Sequence, residues 1–175
     1  WHYIFWGVLI SSALIANYFM ILAHVNMKYV GYMWFILMVT GAVTGFFIEK
    51  KEMKERKFQT FAGKILSSLW MSSGIAMFIF GFIGPISGAY NSIFICPVIS
   101  IILGIAYHTS GSLQQISWLR YISYGWWAGG ILLFVFPSVH TLIVFALMMI
   151  FLQLIPGIIL NRQWKKHNRE VTENI

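Results

Sequence analysis

Six long apolar runs alternate along the chain with short polar connections. They extend from Tyr3 to Ala23, Tyr29 to Ile48, Ile65 to Ile83, Ser92 to Tyr107, Tyr121 to Phe136 and Val139 to Leu160, and none contains Asp, Glu, Lys or Arg. About 20 apolar residues, rising 1.5 Å each, cross about 30 Å of hydrocarbon. Each run therefore predicts a transmembrane helix. The fourth and fifth are short and are expected to tilt less, thin the bilayer or extend through their interfacial ends. The first run is too long for the apolar core of a secretory signal peptide, and no small-residue cleavage site follows it. The expected fold is all-α and polytopic, with one six-helix transmembrane domain over residues 1–162 and a basic cytoplasmic tail over 163–175. The chain opens at Trp1 rather than a methionine, which suggests a preceding segment.

Charge orients these spans. Lys50, Lys51, Lys54, Arg56, Lys57, Lys64, Arg120, Arg162, Lys165, Lys166 and Arg169 fall on one side, and only Lys28 on the other. Eleven basic residues against one predict cytoplasmic termini and a plasma membrane location, of the bacterial inner-membrane type. Trp1, Trp6, Trp118 and Trp164 near the inner interface and Trp34 near the outer one agree with that orientation. The net charge of +7 is thus a topology signal, and nucleic acid is not an expected partner. The tail from Arg162 to Arg169, with Trp164 among four basic residues, suits anionic lipid heads at the inner surface.

A candidate internal repeat links the spans. Met71 to Gly81 reads MSSGIAMFIFG and Trp127 to Pro137 reads WAGGILLFVFP, each preceded by a tryptophan, Trp70 or Trp126. A fainter version occurs at Ser11, Ser12 and Ala13, which predicts three helical hairpins related as parallel repeats. Small residues four apart let backbones approach where apolar burial alone cannot drive association. Gly41 and Gly45, Ser72 and Ala76, Ser100 and Gly104, and Gly125 and Gly129 have that spacing. They serve contacts within the chain, or with a partner protein or a second copy.

The candidate chemistry is sparse. There is no Asp, and Glu49, Glu52, Glu55, Glu170 and Glu173 all lie outside the spans, which excludes intramembrane carboxylate chemistry. One cysteine, Cys96, permits no intrachain disulfide, and no compact His or Cys spacing signals a metal. No catalytic residue, metal or cofactor is predicted. Pro97 and Pro156 lie inside the fourth and sixth runs, where each would remove a backbone donor and free a carbonyl one turn earlier, Ile93 or Leu152. Asn17 and Gln153 are the costliest side chains to leave in hydrocarbon, and Ser100 joins them at lower cost. Asn17, Ser100, Gln153, Pro97, Pro156 and Trp126 are the candidate lining of a ligand cavity. Helix-to-helix hydrogen bonds explain the polar members as simply.

Two functional classes remain, with a third behind them. A noncatalytic sensor, scaffold or partner subunit is expected first, because no single residue demands a ligand. A small-molecule channel or passive transporter, with a cavity between hairpins, is the alternative. An intramembrane enzyme ranks last, because phosphoryl and glycosyl transfer commonly recruit carboxylates that these spans lack.

Overall fold

The computed structural model describes residues 2–55 and 61–173 and is all-helical over them. Helix α1 covers His2–Leu22 and α2 covers Met27–Glu55. Helix α3, Phe61–Phe78, runs into a π turn at Ile79–Ile83 and a last short turn, α4, at Gly84–Ile86. A 3-10 turn at Ser92–Phe94 leads into α5, Ile95–Leu113, which is followed by α6, Ser117–Val135. Helix α7, Thr141–Met149, passes through a second π turn, Ile150–Leu154, into α8, Ile155–Glu173. Glu52 and Arg56, four apart in the order that favours an ion pair on a helix, are expected to pair beyond the second span, and Arg56 lies outside the described residues.

Five helical stretches among the described residues are long and apolar enough to cross a membrane: Tyr3–Leu22, Met27–Ile48, Phe61–Ile86, Ser92–Leu113 and Thr141–Trp164. The fifth expected span is a helix, α6, but is not among them. It starts four residues earlier than predicted and so takes in Ser117 and Arg120 alongside its tyrosines and tryptophans. The fourth is longer than the apolar run implied, because α5 continues through the polar residues to Leu113.

Two compact units divide the chain, one of residues 1–52 with 146–175 and the other of residues 53–145. In the second unit α5 and α6 form an antiparallel pair. Cys96, Pro97, Ser100, Leu103, Gly104, Tyr107, Ser110 and Gly111 mark one buried face of α5 at three- and four-residue steps. Leu119, Ser123, Trp126, Gly129, Gly130 and Leu133 do the same on α6. The link closes as α-helices often do, with the Ile116 N–H reaching back to the Gly111 carbonyl and Gln115 in the left-handed region at φ 58°. Glycine at 111 is required there, since a Cβ would lie 2.7 Å from the Arg120 backbone nitrogen. By sequence position this tight pair joins the second expected hairpin to the third.

The first unit is held by α1 against the second π turn and α8. A Cβ on Gly7 would stand 3.1 Å from Leu154 Cα, and one on Gly157 would stand 2.7 Å from Tyr3 Cβ and 3.1 Å from the Ile4 nitrogen. The two glycines place main chain against main chain, and the order of their contacts makes the crossing antiparallel. Helix α2 meets α1 through Gly41 and Gly45, but the groove they leave is filled by the Trp6 ring rather than by backbone.

Candidate functional site

Three predicted site residues belong to the unit of residues 53–145, and all three are packed in its interior, where Trp126 Nε1 has no hydrogen-bond partner among the described residues. Pro97 is the third residue of α5. The kink expected at Pro97 is therefore absent: the helix starts at Ile95, after a 3-10 turn capped by the Asn91 side chain, so the missing N–H falls in the first turn, where it has no intrahelical partner anyway. Ser100 is fully buried and its hydroxyl donates to the Trp126 carbonyl at 2.6 Å. Trp126 is the largest fully buried side chain, in ring contact with Tyr107 at 6.1 Å and Phe145 at 5.9 Å. Trp70, the tryptophan that precedes the other copy of the candidate repeat, packs on the same Tyr107 ring at 5.7 Å.

The buried Ser110 and Ser123 of this unit also have partners, which the sequence did not reveal. Trp70 Nε1 donates to Ser110 Oγ at 3.2 Å. The Ser123 hydroxyl donates to the Arg120 carbonyl at 2.6 Å, so its contact with His108 Nδ1 at 3.2 Å requires the imidazole to donate, with the proton on Nδ1. Two of the four small pairs, Gly41 with Gly45 and Ser100 with Gly104, make contacts within the chain, and Gly129 of a third is buried on α6. Gly104 lies under the Trp127 indole, where a Cβ would be 2.2 Å from Nε1, and Gly130 lies against Pro97 and Ser100.

Asn17, Gln153 and Pro156 belong to the unit of residues 1–52 and 146–175. Asn17 is 8% exposed and Gln153 4% exposed, and neither amide oxygen has a hydrogen-bond partner among the described residues. The two do not converge on one point. Gln153 is next to Leu154, which touches Gly7, whereas Asn17 is ten residues farther along α1, about 15 Å at the rise of an α-helix.

Gln153 sits within the second π turn, a feature absent from the sequence-based expectation. The buried positions Met149, Gln153 and Gly157 recur every four residues, whereas an α-helix turns once in 3.6. One wider turn keeps that face in register. The Ile155 N–H bonds five residues back to Ile150, and Pro156 follows with no N–H to offer. The first π turn is built identically: the Gly84 N–H bonds to Ile79, and Pro85 follows. There the carbonyl five residues before the proline, Phe80, accepts a hydrogen bond from the Tyr90 hydroxyl. Tyr90 lies outside the spans, and desolvation pushes its phenol above the ordinary value, which preserves the proton it donates.

Among the described residues no three His, Cys, Asp or Glu side chains gather in metal-binding geometry. His24 instead closes α1 in the left-handed region at φ 53°, with the Val25 N–H bonded to the Met20 carbonyl. Cys96 is buried within the packed face of α5. No protein-family model, curated protein or solved structure matches the chain.

Proposed function

We propose that the protein is an integral membrane component that acts without catalysis, as a sensor, scaffold or partner subunit. The uneven packing of its span-length helices carries this reading. Helix α5 buries nine side chains or glycines within the chain, whereas α3, of nearly equal length, buries Ser73 alone among the described residues. Ser68 and Ser72 lie exposed on one face of α3, and the Ser72 hydroxyl already donates to the Ser68 carbonyl at 2.8 Å. A small surface with its polar groups satisfied suits close approach of another helix. Native mass spectrometry of the full-length protein, released gently from its own membrane, tests this. A second chain that disappears in the Ser72→Trp variant is expected; a lone chain in both samples overturns the reading.

In the proposed topology α6 is the fifth of six spans and both termini are cytoplasmic. At 19 residues α6 extends about 28 Å, close to the hydrocarbon thickness, and Arg120 lies within its first turn, bonded to Ser117 Oγ at 3.1 Å. The eleven-to-one bias of basic residues supports the orientation and a plasma membrane of the bacterial inner type. Three parallel hairpins remain part of this proposal, supported by the paired tryptophans on Tyr107. Exposed Arg162, Trp164 and Lys166 on α8 support contact with anionic lipid heads.

A second reading, a small-molecule channel or passive transporter, is favoured by the unpartnered amides of Asn17 and Gln153. If they line a route, Asn17→Leu and Gln153→Leu abolish solute flux in proteoliposomes. Unchanged flux in both variants removes the route.

A further inference from the structure

We propose that Gln153, in the π turn Ile150–Leu154, is a binding residue for a small uncharged hydrogen-bond donor held inside the unit formed by α1, α2 and α8. Its amide oxygen is buried, at 4% exposure for the residue, and has no hydrogen-bond partner among the described residues. Hydrocarbon cannot supply the missing donor, and an amide left unpaired there costs several kcal/mol on the strictest transfer scale.

The comparison between the two π turns shows what is missing. Both precede a proline by the same spacing, and each proline withholds an N–H from a carbonyl one turn back. The first turn is completed by the Tyr90 hydroxyl, a donor supplied by the chain itself. In the second, the side chain embedded in the turn is an amide whose acceptor is unserved. π turns recur at functional sites because they turn backbone and side-chain groups out of the regular ladder.

The unserved oxygen defines the ligand's chemistry. The antiparallel crossing set by Gly7 and Gly157 places Ser11 one turn beyond Gly7 on the buried face of α1. The Ser11 hydroxyl spends its proton on the Val8 carbonyl at 3.2 Å, so it too offers only lone pairs. With that hydroxyl committed, Gln153 Oε1 is left as an unserved acceptor, which calls for a donor. No Asp or Glu lies in any span to neutralise a cation, so the donor is uncharged. Water and small amides or polyols share that chemistry. This site stands independently of whether the protein is a partner subunit or a transporter.

The test is NMR of the full-length chain in lipid nanodiscs, with the Gln153 side-chain amide assigned from its loss in Gln153→Leu. A cross-peak from that amide to a non-protein proton is expected, with acetamide as the probe solute. If acetamide displaces a water cross-peak saturably and shifts the Gln153 resonance, the occupant is a donor solute. If the water cross-peak persists at every acetamide concentration, the donor is bound water. Cross-peaks to protein protons alone overturn the proposal, since Gln153 would then be paired within the chain. The wild-type measurement decides the matter even if the variant folds poorly.

Discussion

In the unit of residues 53–145 the fully buried Ser100, Ser110 and Ser123 all have partners, and their bonds tie α5 to α6 and α3 to α5. In the unit of residues 1–52 and 146–175 the buried Asn17 and Gln153 have unpaired amide oxygens, while the contact between α1 and α8 is made by glycines. The difference teaches how polar groups are accommodated where no water competes. A serine hydroxyl can return its proton to a carbonyl three or four residues earlier and cost little. A glutamine or asparagine amide presents more donors and acceptors than its own helix can serve, so it requires something from outside. The buried serines of one unit are therefore served within it, although Trp126 Nε1 there has no hydrogen-bond partner among the described residues, and the other unit contains amide oxygens that call for a donor.

Removing the largest buried ring should produce the largest effect and test whether the 53–145 unit depends on its packed interior. Trp126→Ala is expected to destabilise that unit by about 3–5 kcal/mol, the usual cost of deleting a buried tryptophan. Chemical unfolding in nanodiscs, followed by the remaining tryptophans, measures it. A cost below about 1 kcal/mol would mean that Trp126 faces an open cavity, as the candidate lining supposed, and not the Tyr107 and Phe145 rings.

Two glycine substitutions sharpen the contrast at a smaller scale. In Gly104→Ala the new methyl meets the Trp127 indole, which is only half-buried and can swing aside once it gives up its 3.4 Å bond to the Ile101 carbonyl. In Gly157→Ala it meets Tyr3 Cβ and the Ile4 backbone nitrogen, which move only if α1 moves. Overpacking costs about 1–3 kcal/mol, and Gly157→Ala is expected at the upper end with Gly104→Ala at the lower. The reverse order would show that α1 and α8 are free to separate.

How far these features could be read from the sequence depends on the kind of pattern that produces them. The helices and their approximate limits follow from uninterrupted apolar length, and the small pairs at Gly41 and Gly45 and at Ser100 and Gly104 do mark close contacts. What fills those contacts, the Trp6 and Trp127 rings, depends on tertiary placement that no spacing encodes. Pro97 and Pro156 looked equivalent in the sequence because both interrupt apolar runs. They differ because one lies in the first turn of its helix and the other follows a π turn. By apolar length Pro85 falls in the connection after Ile83, and only the extension of the helix through Ile86 reveals its match to Pro156. The four-residue recurrence of buried Met149, Gln153 and Gly157 that marks the wider turn shows only in the fold.

The finest test compares two substitutions that each remove one buried polar group. Ser100→Ala takes away the donor to the Trp126 carbonyl and is expected to cost about 1 kcal/mol, the net worth of a typical intramolecular hydrogen bond. Gln153→Leu removes the amide together with any donor it holds, so both sides of the interaction vanish and an apolar side chain of similar size remains. That exchange is expected to be nearly neutral, within about 0.5 kcal/mol, or slightly stabilising. The opposed outcomes follow from the same physics: a polar pair lost by one member penalises the survivor, whereas a pair removed whole leaves nothing to penalise. A loss of about 2 kcal/mol or more in Gln153→Leu, measured by the same unfolding assay, would place the missing partner of Gln153 within the protein and erase the distinction between the units.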